Sequence, residues 1–600
     1  MSGIFALYDK TGGIDLGEVE NRVTRFHLPG SAPHKIECVR HGRSLIGRYH
    51  LDIFKQPPLV RLEPGGPLVI TTGYCVGGVP APSADDRTNS GFNAAVLQWF
   101  VRALAADDSR ALAGVDGAFQ LLHDHESRAE LTVVVDRCGL QPLYYYNNRH
   151  AVAFAPDFAL LFALLGRTPE VDRESLTELF EIGFVTGDRT LFSNVRVFPP
   201  GSLARLTDGA LSFRRFWRPE FAEHDDQFDA DRIAPVIDST LGAAVQQRLG
   251  LAGRAAVSLS GGMDSRLLLA AAVKARVPVC ACTFGPEDSR DHVIAALVAQ
   301  KLGVSHHRFV DTPHGSAGIF ETGVRKTGGM INVLDFTGMM HLREIARATD
   351  IVANGYGGNE LFGFLAFGLL RVRRVRCREI LAAWLAGKLN PGWSAHELEG
   401  IRRSLGDHIP PCIERLEAVL AGYPAQHPLL LVYHFFLEEK ARRANLLGVM
   451  SDTLHLEPVV PFYSPAVVDL ALTIPPRERL LARFYRRLLR EQHQEVAAIT
   501  YNRTGLPADA STFRIALRKL RRSVRRRRDP DSPWDKWLRG ELREYVQDHL
   551  LTGRPRIADF VRPDWVRRVM TDFLAGGDRR ARPVGQLLTI ELFLREFYGN

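Results

Sequence analysis

The segment Val257-Ser258-Leu259-Ser260-Gly261-Gly262-Met263-Asp264-Ser265 holds the residues of this chain best suited to chemistry. The apolar run Ala255 to Leu259 reads as a buried strand, and Arg266 to Val273 reads as a helix. Glycines at the junction allow positive φ and close approach of the backbone to a ligand. The free N–H groups of the helix start, with the hydroxyls of Ser260 and Ser265, form a cradle for phosphate. Asp264 cannot bind phosphate itself, so its role there is to hold a divalent cation that does. No Lys follows the glycines as it would in a G-x-x-x-x-G-K-[ST] loop. The pattern points to a pyrophosphate grip, suited to cutting ATP between its α and β phosphates.

The flanking pattern supplies the elements that must hold this loop. Up to about 207 the chain is strand-rich, with apolar runs at Leu68 to Thr71, Ala118 to Leu122 and Leu131 to Val135 between Gly and Pro. Residues 208–230 carry mixed charge and read as a connector. From 231 helix and strand alternate: helix Ile233 to Leu249, the loop strand and its helix, strand Val277 to Phe284, helix Asp291 to Leu302, strand Ile351 to Asn354. That rhythm is that of a doubly wound parallel sheet. Helical patterns fill 376–600.

Six hundred residues exceed what one core usually holds, so two or more domains are expected. Seven cysteines, without a C-x-x-C pair, fit a reducing cytosol and a cytoplasmic location. The start, Met1-Ser2-Gly3-Ile4-Phe5, lacks signal-peptide features, and no apolar run reaches membrane-span length. The net charge of +8 is modest, but two stretches are strongly basic. One holds Arg371, Arg373, Arg374, Arg376 and Arg378; the other holds Arg514, Arg518, Lys519, Arg521, Arg522 and Arg525 to Arg528. In the second, Ile515, Leu517, Leu520 and Val524 make an amphipathic helix. A solvated face and a surface for an acidic peptide, RNA or a membrane are the alternatives. No DNA partner is expected.

The S-G-G-x-D-S segment resembles the PP-loop of ATP pyrophosphatases, which adenylate carboxylates or related oxygens and release pyrophosphate. Asp136-Arg137-Cys138-Gly139-Leu140-Gln141-Pro142-Leu143-Tyr144-Tyr145 is similar to the D-R-x-G-x-x-P-L-Y-Y segment of class B asparagine synthetases. Thr190-Leu191-Phe192 with Pro199-Pro200-Gly201 resembles their T-L-F…P-P-G stretch, and Asn354 to Gly363 their S-G-E-G-x-D-E-L-F-G. Glu457 to Phe462 resembles E-x-R-V-P-F. On these blocks the chain is identified as a member of the asparagine synthase superfamily, the resemblance covering about residues 1–510. It implies an α+β N-terminal-nucleophile hydrolase-like sandwich over 1–207. An α/β PP-loop synthetase domain with a helical, basic C-terminal part follows over 231–600. ATP and Mg²⁺ are the implied cofactors. Ser258, Ser260, Gly261, Gly262, Asp264, Ser265, Phe284, Asn354 and Gly355 would bind the nucleotide, and Asp264 and Asn359 the metal.

The departures from the family pattern are as informative. Ser2 stands where family glutaminases carry the nucleophilic Cys, and Thr72-Gly73-Tyr74 where they carry an Asn-Gly-Glu glutamine clamp. A hydroxyl is a far weaker nucleophile than a thiol, so the first domain is expected to make no ammonia. Asn359 replaces the second metal-binding Asp, and Arg486 replaces the Lys of K-x-x-L-R. The Asn502-Arg503-Thr504-Gly505 segment resembles the N-R-x-K loop that follows, without its Lys. Tyr356 stands where the β-lactam and carbapenam synthetases have Tyr, paired there with a Glu of a later helix that here falls at Glu439 or Glu438. The resemblance thus implies an AMP-forming amide-bond synthetase with Tyr356, Glu439 and Arg486 as catalytic residues. A lasso-peptide-type macrolactam cyclase is the favoured form. β-Lactam-type ring closure, ammonia-dependent asparagine synthesis and a non-catalytic nucleotide-binding relative are the alternatives. The substrate would be a small molecule or a precursor peptide, with a precursor-processing protease as a candidate partner.

Overall fold

The computed structural model describes residues 2–599 except 58, 62–66, 81–89, 126–129, 225–227, 337, 376, 407, 525–531 and 578–579. In the first half, two six-stranded antiparallel sheets stack face to face. One runs in the order Val195–Val197, Tyr144–Asn147, Ala151–Ala155, Gly3–Asp9, Ser44–His50, Lys35–His41. The other runs Ala210–Arg215, Ser202–Thr207, Glu130–Val135, Asp116–His125, Leu68–Gly77, Val60–Arg61. Alternating side chains fill the space between them: Ile4, Ala6 and Ile46 from one sheet meet Ile70, Leu122, Val133 and Ala204 from the other.

The sandwich extends beyond 207. Thr207 pairs with Ala210 across Asp208 and Gly209, both at positive φ (50° and 80°), so the strand Ala210–Arg215 closes a two-residue hairpin. The expected connector therefore begins with the sandwich's last strand and becomes irregular only after it. Arg376 and Arg525–Arg528 of the basic stretches lie outside the described residues.

The second half is built on a five-stranded parallel sheet, ordered His306–Val310, Cys280–Gly285, Ala255–Ser258, Ile351–Ala353, Glu457–Val459. The chain enters at the central strand, winds to one side, then returns to add the other two. The point where the winding reverses lies between Ala255–Ser258 and Ile351–Ala353. Ligands of such sheets bind at the carboxyl ends of the strands at that point. The loops after both strands, S-G-G-M-D-S and N-G-Y-G-G-N-E, leave from it.

One apolar core spans both halves. Phe5, Tyr144 and Phe192 of the sandwich cluster with Phe320 and Val333 and with Phe593 of the last helix, Ala581–Tyr598. Phe192 and Phe593 meet at 5.2 Å. The later helix expected to carry Glu439 or Glu438 is an α-helix over Pro428–Phe435 and continues as a π-helix over Phe436–Leu446. A π-helix bonds i to i+5 and turns its side chains onto different faces than an α-helix would.

Candidate functional site

The helix Met263–Lys274 starts at Gly262 without a side-chain cap, which leaves its first N–H groups free for a ligand. The loop before it is held from within. The Ser260 N–H donates to Ser265 Oγ at 3.0 Å, and the Gly262 N–H to Ser260 Oγ at 3.2 Å. Neither glycine has positive φ, contrary to the first of the two reasons expected for them. Close approach is the reason that applies at Gly261: a Cβ there would lie 2.8 Å from Asp291 Oδ1 and 2.9 Å from Asn502 Cβ. Asp291 Oδ1 accepts both the Gly261 N–H, at 2.9 Å, and the Asn502 side-chain amide, at 2.8 Å. Beneath the loop lies Arg266, fully buried, whose guanidinium donates only to backbone carbonyls.

Asp264 faces the second loop. Tyr485 donates its hydroxyl to Asp264 Oδ1 at 2.8 Å, and the Asn359 amide nitrogen donates to Asp264 Oδ2. Gly355 and Gly358 let the two loops meet: a Cβ at 355 would lie 2.9 Å from the Ser265 nitrogen, and one at 358 would lie 2.8 Å from Asp264 Oδ1. Burial pushes the Asp264 carboxyl up to about 7; the Glu360 charge adds to this, while Tyr485 and Arg503 pull it down. Asn359 Oδ1 is buried without a hydrogen-bond partner. A buried carboxyl group, beside an unused amide oxygen and free helix N–H groups, is the donor set that Mg²⁺ with a polyphosphate takes up. The residues present therefore fit Mg²⁺ and ATP, with Asp264 and Asn359 as the protein's oxygen ligands.

Around this pair stand the remaining expected nucleotide residues. Ser258 ends its strand at the same edge, and Asn354 Oδ1 accepts the Tyr356 N–H at 3.3 Å. Phe284 is half-buried near the end of its own strand, under Gly338, whose positive φ (83°) brings the backbone onto the ring.

The structure does not bring Glu439 to Tyr356. The π-helix turns Glu439 toward the first half, where its carboxylate accepts the Gly187 N–H at 2.7 Å. Glu438 pairs with Arg215. Burial pushes the Tyr356 hydroxyl well up, and the charges of Glu360, Asp335, Asp452 and Asp264 push the same way, Glu360 most. Glu360, four residues on from Tyr356 and buried, is the carboxylate whose charge acts most on it. Burial raises the Glu360 carboxyl, against Arg503 and Lys440, which lower it.

Arg486 follows Tyr485 on the helix Arg483–Gln492, and among the described residues its Nε and Nη1 are buried without a hydrogen-bond partner. Its guanidinium donates to Thr512 Oγ1 at 3.0 Å, and the charges that act on it are Arg490 and Asp509. Arg503 is the cation whose charge reaches both Asp264 and Glu360. Sequence reading named neither Glu360 nor Arg503 as a site residue, although both lie inside quoted motifs. It also passed over Tyr485, Asp291 and Arg266.

In the first half, the Ser2 hydroxyl donates to Glu457 at the edge strand of the parallel sheet, and the Leu51 N–H reaches Ser2 Oγ at 3.4 Å. The hydroxyl at the family's nucleophile position is thereby engaged across the two halves.

Residues 236–498 match the family model described as asparagine synthase, and residues 99–217 match the glutamine amidotransferase domain. The chain belongs to the asparagine synthase superfamily. Asparagine synthetase [glutamine-hydrolyzing] 3 of Bacillus subtilis (strain 168) is 24% identical over 269 residues, which are 42% of this chain and 43% of that protein. The chain thus spans less than half the length of that superfamily relative. Glutamine phosphoribosylpyrophosphate amidotransferase from B. subtilis, solved with ADP and GMP, aligns at 12% identity over 54% of this chain and 92% of its own, with a TM-score of 0.24. NMN synthetase from Francisella tularensis aligns at 17% identity over 35% and 94%, with a TM-score of 0.18. Structural likeness at that level carries no argument about this superfamily member.

Proposed function

We propose that the chain is an ATP-dependent, AMP-forming synthetase that joins a substrate carboxylate to an amine as an amide. The observation that carries the reading is the meeting of the S-G-G-x-D-S loop and the Tyr356–Glu360 turn at the switch point, with Asp264 and Asn359 between them. A substrate carboxylate oxygen attacks the α-phosphorus of ATP, forming an acyl-adenylate and expelling pyrophosphate. The loop's free N–H groups and serine hydroxyls hold the departing pyrophosphate. Mg²⁺, bound by Asp264 and Asn359, would neutralise charge on those phosphates. The amine then attacks the acyl carbon and AMP leaves. We assign the amine's proton to Tyr356 as it gives up its own, with Glu360, the carboxylate whose charge acts most on it, as the final acceptor.

The amine belongs to the substrate itself, and the product is a ring. Support comes from the first half, which lacks the thiol and the clamp carboxylate and has its Ser2 hydroxyl bound to Glu457. A lasso-peptide-type macrolactam cyclase is the form we favour, in a cytoplasmic setting, with β-lactam-type closure as its smaller analogue. The printed name of the B. subtilis relative favours a second reading, asparagine formed from aspartate and ammonium. Incubation with ATP and peptides bearing a free amine and a side-chain carboxylate tests the first; AMP, pyrophosphate and a product lighter by one water are expected. Turnover of aspartate with ammonium and none of any peptide would select the second.

A further inference from the structure

We infer that the helix Thr512–Val524, together with the stretch from Phe367 to Arg374, is a docking surface for an acidic peptide segment with interspersed apolar residues. That segment is the part of the substrate that remains outside the synthetase site. The inference rests on the amide-synthetase reading above.

Two stripes run side by side along the helix. Phe513, Leu517 and Leu520 form the apolar one, 75%, 37% and 62% exposed. Arg514, Arg518 and Arg521, each one residue on, form the basic one. Ile515 faces inward and anchors the helix. The first basic stretch adjoins it: the Lys519 ammonium lies 4.7 Å from the centre of the Phe367 ring, just before Arg371, Arg373 and Arg374. Leu370 is exposed beside them. The described parts of the two basic stretches, around Arg371 to Arg374 and Arg514 to Arg521, therefore adjoin.

An ordinary solvated helix face interleaves acids with bases. Thr512–Val524 contains no acid, nor does Phe367–Arg374. Among the described residues, none of Arg371, Arg373, Arg374, Arg514, Lys519 and Arg521 takes part in an ion pair. Exposed leucines and a phenylalanine among unpaired cations call for a partner that brings both carboxylates and apolar side chains.

The position of the surface selects a peptide over a membrane or RNA. Arg518 donates to the Gly505 carbonyl at 2.7 Å, two residues from Arg503, whose charge reaches Asp264. Thr512 receives Arg486. Phe367 follows by four residues the Gly363 that ends the helix bearing Asn359 and Glu360. The helix thus touches the segments that carry Arg503 and Arg486, a continuity that suits a peptide substrate and that a membrane or an RNA would not need.

The test uses the full chain and a fluorescein-labelled probe of about 12 residues in which Glu alternates with Leu and Phe, read by anisotropy. Binding is expected to weaken about tenfold or more in Lys519→Glu/Arg521→Glu and in Phe513→Ser/Leu520→Ser. It should also weaken with salt and on replacing the probe's Glu by Gln. Equal binding of the Gln probe, or no loss in either double variant, overturns the inference. So does tighter, variant-sensitive binding of phosphatidylglycerol vesicles or single-stranded RNA. Because the readout needs no turnover, the two proposals fail separately. Probe binding as expected in a protein that never consumes ATP would sink the synthetase reading alone. ATP turnover on a ring-closing substrate without probe binding would sink the surface alone.

Discussion

Arg266→Lys keeps the charge under the phosphate loop and removes the fork that organises it. Nε donates to the Gly262 carbonyl at 2.9 Å, Nη1 to Val496 at 3.0 Å and Ile499 at 2.9 Å, and Nη2 to Gly261 at 3.0 Å and Thr500 at 2.9 Å. All five N–H groups of the guanidinium are thereby used. Burial brings its pKa down to about 10, so it remains charged near neutral pH. A lysine has three donors at one point and leaves at least two buried carbonyls unpaired. At roughly 1–3 kcal/mol for each unsatisfied group, the loss is about 4 kcal/mol. That is a large fraction of a typical fold's stability. Two of the acceptors are the glycine carbonyls of the loop itself, so the cradle loosens as well, and a shift of about 1 Å there costs on the order of a hundredfold in rate. Urea unfolding, amide exchange over 257–266 and 496–500, and ATP–pyrophosphate exchange measure the three consequences. A variant within about 1 kcal/mol of the parent, with unchanged amide exchange in both segments, would refute the reasoning.

Asp264→Asn should slow ATP–pyrophosphate exchange on the order of a thousandfold, because it removes the one charged oxygen ligand at the loop. Tyr356→Phe and Glu360→Gln should spare that exchange and slow amide formation by about a hundredfold or more. Glu439→Gln should leave both partial reactions near wild type; a Glu439 variant that loses only the amide step would reinstate it as the Tyr356 partner. Ser2→Ala should keep synthetase turnover while lowering the unfolding midpoint, since it strips a buried Glu457 of its hydroxyl donor. His434, enclosed between the Phe221 and Tyr423 rings, has its pKa pushed down to about 3 by burial and by Arg479 and Arg215. The unfolded chain protonates this residue below about pH 6.5 and the folded chain does not, so stability is lost as pH falls from there toward 3. His434→Phe should reduce the acid sensitivity of unfolding by about 2 kcal/mol at pH 5, and identical slopes for both proteins would exclude this origin.

The sequence made the phosphate loop legible because everything that defines it is local: a strand, two glycines and a helix start within a dozen residues. What closes the site was not legible, because it arrives from far along the chain. Three of the five acceptors of Arg266 lie about 230 residues away, and Tyr485 lies 221 residues from the Asp264 it binds. Glu439 was expected beside Tyr356 from the resemblance to the β-lactam synthetases, and it lies on a π-helix over Phe436–Leu446 with its carboxylate on the Gly187 N–H. Glu360 stood in plain view within N-E-L-F-G, yet only the turn at Gly357, with φ 99°, starts the short buried helix Gly358–Phe362 that carries it. The Asp208-Gly209 hairpin was readable from its D-G pair between Leu206 and Leu211, and its charged flanks disguised it as a connector.

The same structure explains why a first half without thiol or clamp is still part of the chain's fold. Its strands are not merely tethered to the synthetase half but complete it. The fully buried Arg248 of the helix Ala230–Leu249 pairs with Asp116 of the sandwich, and Asp116 also accepts the Ser464 hydroxyl at 2.8 Å. Arg415 pairs with the buried Glu181, and Ser2 with Glu457. Each of these ties sets a charged or carboxyl group in an enclosed contact between the halves, where an unpaired group is far more costly than the pair is worth. Losing the sandwich would therefore leave Arg248, Arg415 and Glu457 buried or half-exposed without partners and would uncover the apolar face that Phe593 shares with Phe192. Substitution at Ser2 and at Thr72-Gly73-Tyr74 leaves such a domain in place, because Ser2 and Tyr74 still meet Glu457 and Arg248 of the other half. The domain itself cannot be dispensed with, because the synthetase sheet rests on it.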